Sequence, residues 1–457
     1  MDRPLVTVYI TNHNYGKFIR QSIESVLCQS YNDIEVIIID DGSSDNSKDI
    51  IDQYEKNPKI NVVYQERKGL TVSNNIALSL ARGEFIIRLD ADDYLDKNAL
   101  KIMIGEFDDV KVGMVFGDWY IVDSNNEVIG VERRHNFKGD VSMYDQPAHG
   151  ACTMFRTKCL KMLGGYNEDI LMQDGYELWL RFIEHYEVRN LNIPVFYYRK
   201  HNNSLTNNES LLLNTRAKIL KDHARKRNIK RPKVVAIVPI RGGSIDFMSR
   251  PFVKLKNKYL IDWTLSVFAR SESIDKVVVT SPNKEILEHT LKNYDNNKFD
   301  VMKRSVELAR LNSNIDGTIN YIFNNMDIKS YDYFLMYTIE APFLREEFII
   351  SAISTMQIFG ADTVIPVRTV GRYFYKHSGN GMEPLNYSKG FIRLEKDQWY
   401  AGVTNFLLRN VDDYVKSNSY FGKKIGHVVF DKKASFEIED EIDVKIAELI
   451  LDEFSGN

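Results

Sequence analysis

The amino-acid sequence predicts an α/β protein of two domains, each a doubly wound, mainly parallel sheet. Short β-branched runs alternate with longer helical patterns, and this alternation starts again halfway along the chain. The length agrees, because 457 residues are more than one ordinary hydrophobic core accommodates. The predicted strands are almost unbroken apolar runs, which suits sheets covered by helices on both faces.

The first half of the chain supplies four of these predicted strands. They lie at residues 5–11, 34–40, 60–66 and 84–90. The helical patterns between them lie at about 17–30, 45–56 and 71–81. Because parallel α/β sheets bind ligands beyond the carboxyl ends of their strands, polar residues at these ends are candidates for function.

The second half restarts the pattern with KVVAIVPIRGGS. Further strands are predicted at residues 276–282, 333–342 and 362–368. The stretch 215–233 between the halves is dense in Lys and Arg, and Pro232 lies near its end. We therefore predict domains of residues 1–228 and 229–457. The basic stretch is interpreted as a solvated helix face and linker, and the alternative is a docking site for an anionic partner or a membrane surface.

Composition excludes several classes of protein. A net charge of −3 provides no general attraction to nucleic acid or to an anionic membrane. Three cysteines without CxxC spacing argue against a disulfide framework or a zinc site. No signal-like leader and no apolar run of about 20 residues is present in the sequence, so we expect a cytoplasmic protein without a transmembrane segment.

Acidic residues are concentrated after the fourth predicted strand, in the sequence LDADD. Asp90, Asp92 and Asp93 lie within four positions, and Asn75 precedes them. Carboxylates held this close repel one another, and a divalent cation relieves that repulsion. Mg²⁺ or Mn²⁺ suits such oxygen ligands and commonly bridges them to phosphate. The alternative is a polar turn without function.

Motifs in the first half occur in an order that resembles the family 2 glycosyltransferases, which have a GT-A fold. The segments that carry the resemblance are TNHNYGKFIRQSIESVLCQSY, IEVIIIDDGSSDNS, ARGEFIIRLDADDYLD, GGYNEDILMQDGYELWLRF and PVFYYRKHNNSLT. Together they cover roughly residues 3–210.

This resemblance implies roles for individual residues. Thr11 and Asp41 contact the nucleotide base of the donor, which is uracil if the donor is UDP-linked. Asp92 and Asp93 hold the ribose and the metal on the donor diphosphate, and Asp90 supports them. The other residues expected on the donor side are Asn14, Asn75, Arg199 and His201.

Inverting sugar transfer also needs a general base that takes the proton of the acceptor hydroxyl. The resemblance places it at Asp174, although the Glu that usually precedes it is Gln173, and Gly175 is an extra residue. Asp169 is the alternative base. Asp174 is also suited to capping the helix that follows it. His149 is a further candidate for the acceptor site.

The second half resembles the acylneuraminate cytidylyltransferases, over about residues 233–453. Segments with the family's pattern include KVVVTSPNKEI, ELARLNSNID, EAPFLREEFI, ADTVIPVRTV and SFEIEDEIDVKIAELILDE. The active-site match is poorer: the loop lysine of the family is Ile245 here, and its D-I-D motif is Glu437-Ile438-Glu439. The residues expected at a nucleotide in this half are Arg241, Gly243, Ser244, Arg250, Glu437 and Glu439.

These motifs predict a metal-dependent inverting glycosyltransferase of surface polysaccharide or glycoconjugate assembly. A nucleotide-sugar donor, most simply a UDP-sugar, gives its sugar to a saccharide or lipid-linked saccharide. One alternative is a bifunctional enzyme whose second domain also makes a CMP-sugar from CTP, and another is a non-catalytic nucleotide-sugar-binding scaffold. Cytidylyltransferases of this type are commonly dimers, so a homodimer through the C-terminal domain is a further expectation.

Overall fold

A computed structural model describes residues 4–133, 148–170, 172–201, 209–243, 250–310, 312–370, 374–377, 382–385 and 399–455. The chain divides into two compact units. One comprises Met1–Thr215 with Arg372–Asp397, and the other comprises Arg216–Gly371 with Gln398–Asn457. In the described residues, no helix is long and apolar enough to cross a membrane.

Nine strands of the described residues form the sheet of the first unit, in the order β3-β2-β1-β4-β8-β6-β9-β5, with β7 on β6. Their bounds are β1 Val6–Asn12, β2 Ile34–Asp41, β3 Ile60–Gln65, β4 Phe85–Asp90, β5 Tyr94–Leu95, β6 Val112–Val122, β7 Val128–Glu132, β8 Met154–Arg156 and β9 Glu187–Arg199. β1 to β4 are parallel, whereas β8 runs antiparallel to both β4 and β6.

The helices of this half are α1 Ile19–Leu27, α2 Ser47–Ile51, α3 Leu70–Leu80, α4 Ala99–Gly105, α5 Thr157–Met162, α6 Asp174–Phe182 and α7 Glu209–Lys226. Helix α1 shows how they cover the sheet. Its residues Ile19, Ile23 and Val26 are spaced by four and three positions and share one buried cluster with Val8 and Ile10 of β1. Burying each such side chain stabilises the fold by about 1.5–3 kcal/mol.

In the described part of the second unit, eight strands form a sheet in the order β14-β13-β10-β15-β20-β16-β19, with β21 on β16. Their bounds are β10 Val234–Pro239, β13 Lys276–Ser281, β14 Phe299–Lys303, β15 Tyr333–Tyr337, β16 Thr363–Val370, β19 Trp399–Gly402, β20 Phe406–Asn410 and β21 Ile425–Val429. β10 and its neighbours β13 and β15 are parallel, and β20 is antiparallel to β15. Two small antiparallel pairs are separate from these sheets. β11 Lys254–Leu255 pairs with β12 Lys258–Tyr259 in the second unit, whereas β17 Tyr375–His377 and β18 Met382–Pro384 belong to the first.

The helices of the second half are α8 Leu260–Arg270, α9 Lys284–Asn293, α10 Ile315–Asn325, α11 Glu346–Phe359, α12 Val411–Ser417 and α13 Glu441–Ser455. In α10, Ile319 and Ile322 belong to the same buried cluster as Val235 and Ile237 of β10. The packing logic is therefore that of the first unit.

The predicted α/β class is confirmed, with helices between the strands of two sheets. Both sheets are mixed rather than mainly parallel: four of the eight strand pairings described in the first sheet are antiparallel, and three of the seven in the second. The four strands predicted in the first half all form. The helical pattern at 45–56 is shorter than predicted, because α2 ends at Ile51 and a 3₁₀ turn, Asp52–Tyr54, follows it. The division into units falls inside α7, whereas the predicted boundary lies just beyond its end. The domain boundary stays a prediction.

Candidate functional site

Strand register brings the polar residues of the first half to one edge of the sheet. Thr11 pairs in register with Asp90, and Asn12 pairs with Asp40. The Thr11 hydroxyl donates to Asp90 Oδ1 at 3.3 Å, and Asn12 Nδ2 donates to Asp40 Oδ2 at 2.7 Å. The carboxyl ends of β1, β2 and β4 therefore meet at one polar edge, as parallel strands require.

The acidic turn, which we define as Asp90 to Asp93, follows β4 at this edge. Burial raises the pKa of Asp90 to about 6, and although Arg88 opposes this effect, Asp92 and Asp174 add to it. Burial also raises the pKa of Asp93 well above its ordinary range, with Asp92 and Asp90 contributing. Within the described residues, the buried Oδ2 of Asp93 has no hydrogen-bond partner. A cation bound at this turn would relieve both the repulsion and the unpaired oxygen.

His201 lies against the acidic turn. Its Nε2 is 2.9 Å from Asp92 Oδ2, and its ring packs against Tyr15 and Phe18 with centroid distances of 5.6 Å. The described residues include no group of three or more His, Cys, Asp or Glu able to hold a metal ion by themselves. Asp92, Asp93 and the His201 imidazole could still share a divalent cation whose remaining ligands come from phosphate, since Mg²⁺ commonly uses one or two carboxylates with substrate phosphates.

Arg199 was expected on the donor side, and the structure places its side chain beneath the acidic turn. The residue is 1% exposed. Its guanidinium donates to the carbonyl oxygens of Asp92 and Asp123 and to the side chains of Gln21 and Asn126, at 2.9–3.0 Å. These bonds hold the turn in place, so the geometry favours a positioning role for Arg199.

Asp174 is the first residue of α6 and is 7% exposed. Gln173 before it has a left-handed backbone (φ 61°) and occupies the cap position, so Asp174 is not the cap of this helix. Asn74 Nδ2 donates to Asp174 Oδ2 at 3.1 Å, and Arg88 forms an ion pair with the same oxygen. The other candidate base, Asp169, is exposed in the turn before α6.

Arg88 belongs to the candidate site, although the sequence analysis did not identify it. It is 4% exposed and extends from β4 between two carboxylates, with Nε 3.0 Å from Asp90 Oδ1 and an ion pair to Asp174. Although burial lowers the pKa of an arginine, Asp174 and Asp90 raise the pKa of Arg88 well above its ordinary value. The available signal was one arginine inside an apolar strand, FIIRLD, because a buried charge requires partners.

Gly175, the extra residue after Asp174, lies where the backbone makes a close contact. A Cβ at Gly175 would lie 2.5 Å from the Cα of Gly150, so the two backbones are in direct contact. The same segment carries His149, whose ring packs on Trp119 and Phe196 with centroid distances of 5.0 and 5.3 Å. The glycine pair thus fixes the start of α6, and with it Asp174, against the segment that carries His149.

Replacing Gly175 by Ala is therefore expected to displace Asp174. We expect a loss of about 1–3 kcal/mol in the free energy of unfolding, as for other overpacked sites, and a fall in turnover of about a hundredfold. Thermal melts and initial transfer rates check both effects. Gly105→Ala is the control, because an added Cβ there meets nothing within 4 Å. Equal effects of the two variants would show that the contact with Gly150 has no special importance.

Three other residues predicted on the donor side use their side chains within the protein. Asn14 Oδ1 accepts from the backbone N–H of Ser44 at 2.7 Å. Asn75 Nδ2 donates to the Tyr166 carbonyl at 2.9 Å. Asp41 accepts from the backbone N–H groups of Lys68 and Gly69 at 2.7 and 2.8 Å. These bonds tie the loops of the edge together, and donor contacts of these residues stay predictions.

In the second unit, the predicted nucleotide residues are spread over several segments. Arg241 and Gly243 follow β10, while Ser244 lies outside the described residues. The Nη1 atom of Arg250 is 3.3 Å from Glu441 Oε1. The remaining two residues take their contacts elsewhere: Glu437 accepts from the Thr404 hydroxyl at 3.2 Å, and the Glu439 backbone N–H donates to Asp443 at 3.0 Å.

Arg304 is a second arginine at the edge where β10 and β13 end, and sequence reasoning missed it. It is 3% exposed, and its guanidinium donates to the carbonyl oxygens of Thr280 and Ile240 at 3.2 and 3.3 Å. Burial and the neighbouring Arg241 lower its pKa to about 10. Two adjacent cations at the carboxyl edge of a parallel sheet suit an anionic ligand.

Each unit thus carries a polar carboxyl edge, acidic in the first and cationic in the second, where an α/β sheet binds nucleotides in transferases. Family comparison is consistent with a transferase of this kind. Residues 7–163 match the model of glycosyl transferase family 2, and residues 235–377 match that of a cytidylyltransferase. The chain therefore joins a family 2 glycosyltransferase domain to a cytidylyltransferase-like domain, as the motifs predicted.

Curated relatives match the first half. The chondroitin synthase of Escherichia coli is 29% identical over 191 residues, which cover 41% of this chain and 28% of that protein. The E. coli enzyme WfaP, a UDP-Glc:α-D-GlcNAc-diphosphoundecaprenol β-1,3-glucosyltransferase, is 29% identical over 221 residues, 48% of this chain and 86% of WfaP. The chain spans only 20–28% of the length of the first three curated relatives. Among solved structures, Staphylococcus aureus TarS (residues 1–349) is similar at 18% identity and a TM-score of 0.38, over 48% of this chain and 64% of TarS.

Proposed function

We propose that this chain is a metal-dependent inverting glycosyltransferase that uses a nucleotide-sugar donor, most simply a UDP-sugar. The observation that carries the proposal is Arg88, which contacts both Asp90 of the acidic turn and Asp174. These contacts support a single site in which the turn binds the donor and Asp174 is the base. The family 2 match over residues 7–163 supports the reaction class.

In the proposed reaction, Asp174 accepts the proton of the acceptor hydroxyl. The hydroxyl oxygen then forms a bond to the anomeric carbon of the donor sugar from the face opposite the leaving group. The bond between that carbon and the diphosphate oxygen breaks, its electron pair stays on the diphosphate, and the nucleoside diphosphate departs. Asp92 and Asp93, with His201 beside them, would hold the divalent cation, which supplies charge stabilisation for the departing diphosphate.

The proposed acceptor is a saccharide on a lipid diphosphate, in the assembly of a surface polysaccharide or glycoconjugate. WfaP supports this choice, because its name specifies such an acceptor and a UDP-linked donor, and this chain aligns with 86% of its length. A second candidate function is nucleotide binding or CMP-sugar synthesis by the cytidylyltransferase-like domain, which Arg241 and Arg304 favour by their position at one edge.

Binding of UDP is expected to depend on the acidic turn. At a UDP concentration of about a hundred times its Kd, with Mn²⁺, binding stabilises the native state by about 2.7 kcal/mol, which a thermal-shift assay on the full chain detects. In Asp92→Ala, we expect the same small UDP response with and without Mn²⁺. Asp169→Ala is the control, because this aspartate is exposed outside the turn.

The same assay separates the candidate functions. A response to UDP with Mn²⁺ that Asp92→Ala removes supports the glycosyltransferase. A response to CTP that Arg241→Ala removes supports a working second site. If no nucleotide stabilises the chain, the proposed donor class is wrong.

A further inference from the structure

Helix α7 presents a cationic surface to solvent. We call its exposed residues Lys218, Lys221 and Arg225 the basic face. Their spacing of three and four positions places them on one side of the helix. On the other side, Ala217 and Leu220 are 3% exposed. The helix is therefore amphipathic, and its outer side carries positive charge.

The basic face itself is only weakly neutralised, although Arg231 of the same stretch pairs with Asp275 at 2.8 Å. Residues 216–233 contain nine Lys and Arg against one Asp, a net charge of +8 in a chain whose total is −3. The single acid, Asp222, lies 3.6 Å from Arg225, whose side chain is 80% exposed. Among the described residues, Lys218 and Lys221 form no ion pair. Such a one-signed surface attracts polyanions.

We propose that the basic face docks the protein on an anionic lipid surface. Clusters of four to eight Lys and Arg are typical of such docking, and each contributes roughly fivefold in affinity near the surface. Two observations favour lipid over nucleic acid. Residues 216–233 contain no Phe, Tyr or Trp, whereas sequence-tolerant binding of single strands uses aromatic stacking. The second rests on the proposed function, since a lipid-diphosphate acceptor is presented at a membrane.

The test is co-sedimentation of the full chain with phosphatidylcholine vesicles, with and without about one third phosphatidylglycerol, at about 0.1 M salt. The wild-type chain should bind only the anionic vesicles and should dissociate at about 1 M salt, where charges are screened within about 3 Å. The triple variant Lys218→Gln, Lys221→Gln, Arg225→Gln should lose affinity by about a hundredfold or more.

A matched control removes three other exposed lysines of the same unit, Lys292, Lys329 and Lys416, each by substitution with Gln. Its affinity should fall by no more than about threefold, since general charge attraction is weak. An equal loss in both triple variants would overturn the proposal, because net charge rather than the basic face would then be responsible. Equal binding to neutral vesicles, or tighter binding to a single-stranded oligonucleotide, would also overturn it.

Transfer to a soluble acceptor separates this inference from the proposed function. The triple variant should keep wild-type transfer in solution, because its three residues lie outside the candidate site. If the chain binds anionic vesicles through the basic face but transfers no sugar from any nucleotide donor, the docking surface stands and the proposed function fails. If sugar transfer occurs but the vesicles are not bound, the proposed function stands and the docking surface fails.

Discussion

Replacing Asp174 by Asn is expected to reduce turnover by about a thousandfold or more while the donor still binds. General-base catalysis contributes about 10²–10⁴-fold, and Asn has the shape of Asp but cannot accept the proton. A thousandfold loss corresponds to about 4 kcal/mol of transition-state stabilisation. The measurements are single-turnover transfer rates and the metal-dependent affinity for UDP, which should change by less than about threefold since only turnover is affected.

The matched variant for this experiment is Asp169→Asn. Asp169 is exposed in the preceding turn, and its own backbone N–H donates to Asn167 Oδ1 at 3.1 Å. We expect wild-type rates for this variant. If Asp169→Asn loses turnover and Asp174→Asn retains it, the base is Asp169 and the assignment must be exchanged. Loss of donor affinity in Asp174→Asn would instead make Asp174 a structural residue.

The second large effect is expected from Arg88→Met, which removes the cation between the acidic turn and the candidate base. Breaking a buried ion pair on one side costs about 3–5 kcal/mol, because the remaining carboxylates lose their cation in a buried site. Thermal melts should show this loss. The acid limb of the pH–rate profile should also move to higher pH, because Arg88 lowers the pKa of Asp90 and its loss keeps that carboxyl protonated up to a higher pH.

Two further variants distinguish positioning from general destabilisation. Arg88→Lys keeps the charge but not the planar fork that reaches both Asp90 and Asp174, so partial rescue of stability with poor turnover is expected. The double variant Arg88→Met, Asp174→Asn should be less destabilised than the sum of the single variants, because it leaves one fewer unpaired charge. Additive losses of stability would show that Arg88 does not act through Asp174.

Much of the fold was predictable because several strands can be recognised from short, local sequence patterns. β1, β2 and β4 are buried apolar runs followed by polar residues, and such runs are visible in the sequence without tertiary knowledge. The central strand β6, by contrast, pairs with β8 and β9 across long separations in the chain. The alternation of strand and helix gives no sign of these pairings, so this part of the sheet was not predicted.

The candidate site was predictable only where a motif has a fixed spacing. The acidic turn is contiguous in the sequence, and the structure places it at the expected edge. Arg88 and Arg304 were missed because their importance depends on partners distant in the sequence: Asp174 for Arg88, Ile240 for Arg304. For Arg199, the family resemblance indicated the donor side, whereas burial decides the contacts it makes.

The bonds of Arg199 also bear on the order in which the chain folds. Arg199 bonds to Gln21, which lies 178 positions before it in the chain, and to Asp93 of the acidic turn, which lies 106 positions before it. Because closing loops of this length is slow relative to local pairing, we expect β1 to β4 to pair before the acidic turn is fixed. During synthesis, the acidic turn can make its final contacts only after residue 199 has left the ribosome. A nascent glycosyltransferase domain would therefore have a folded α/β core before it is competent to bind its donor.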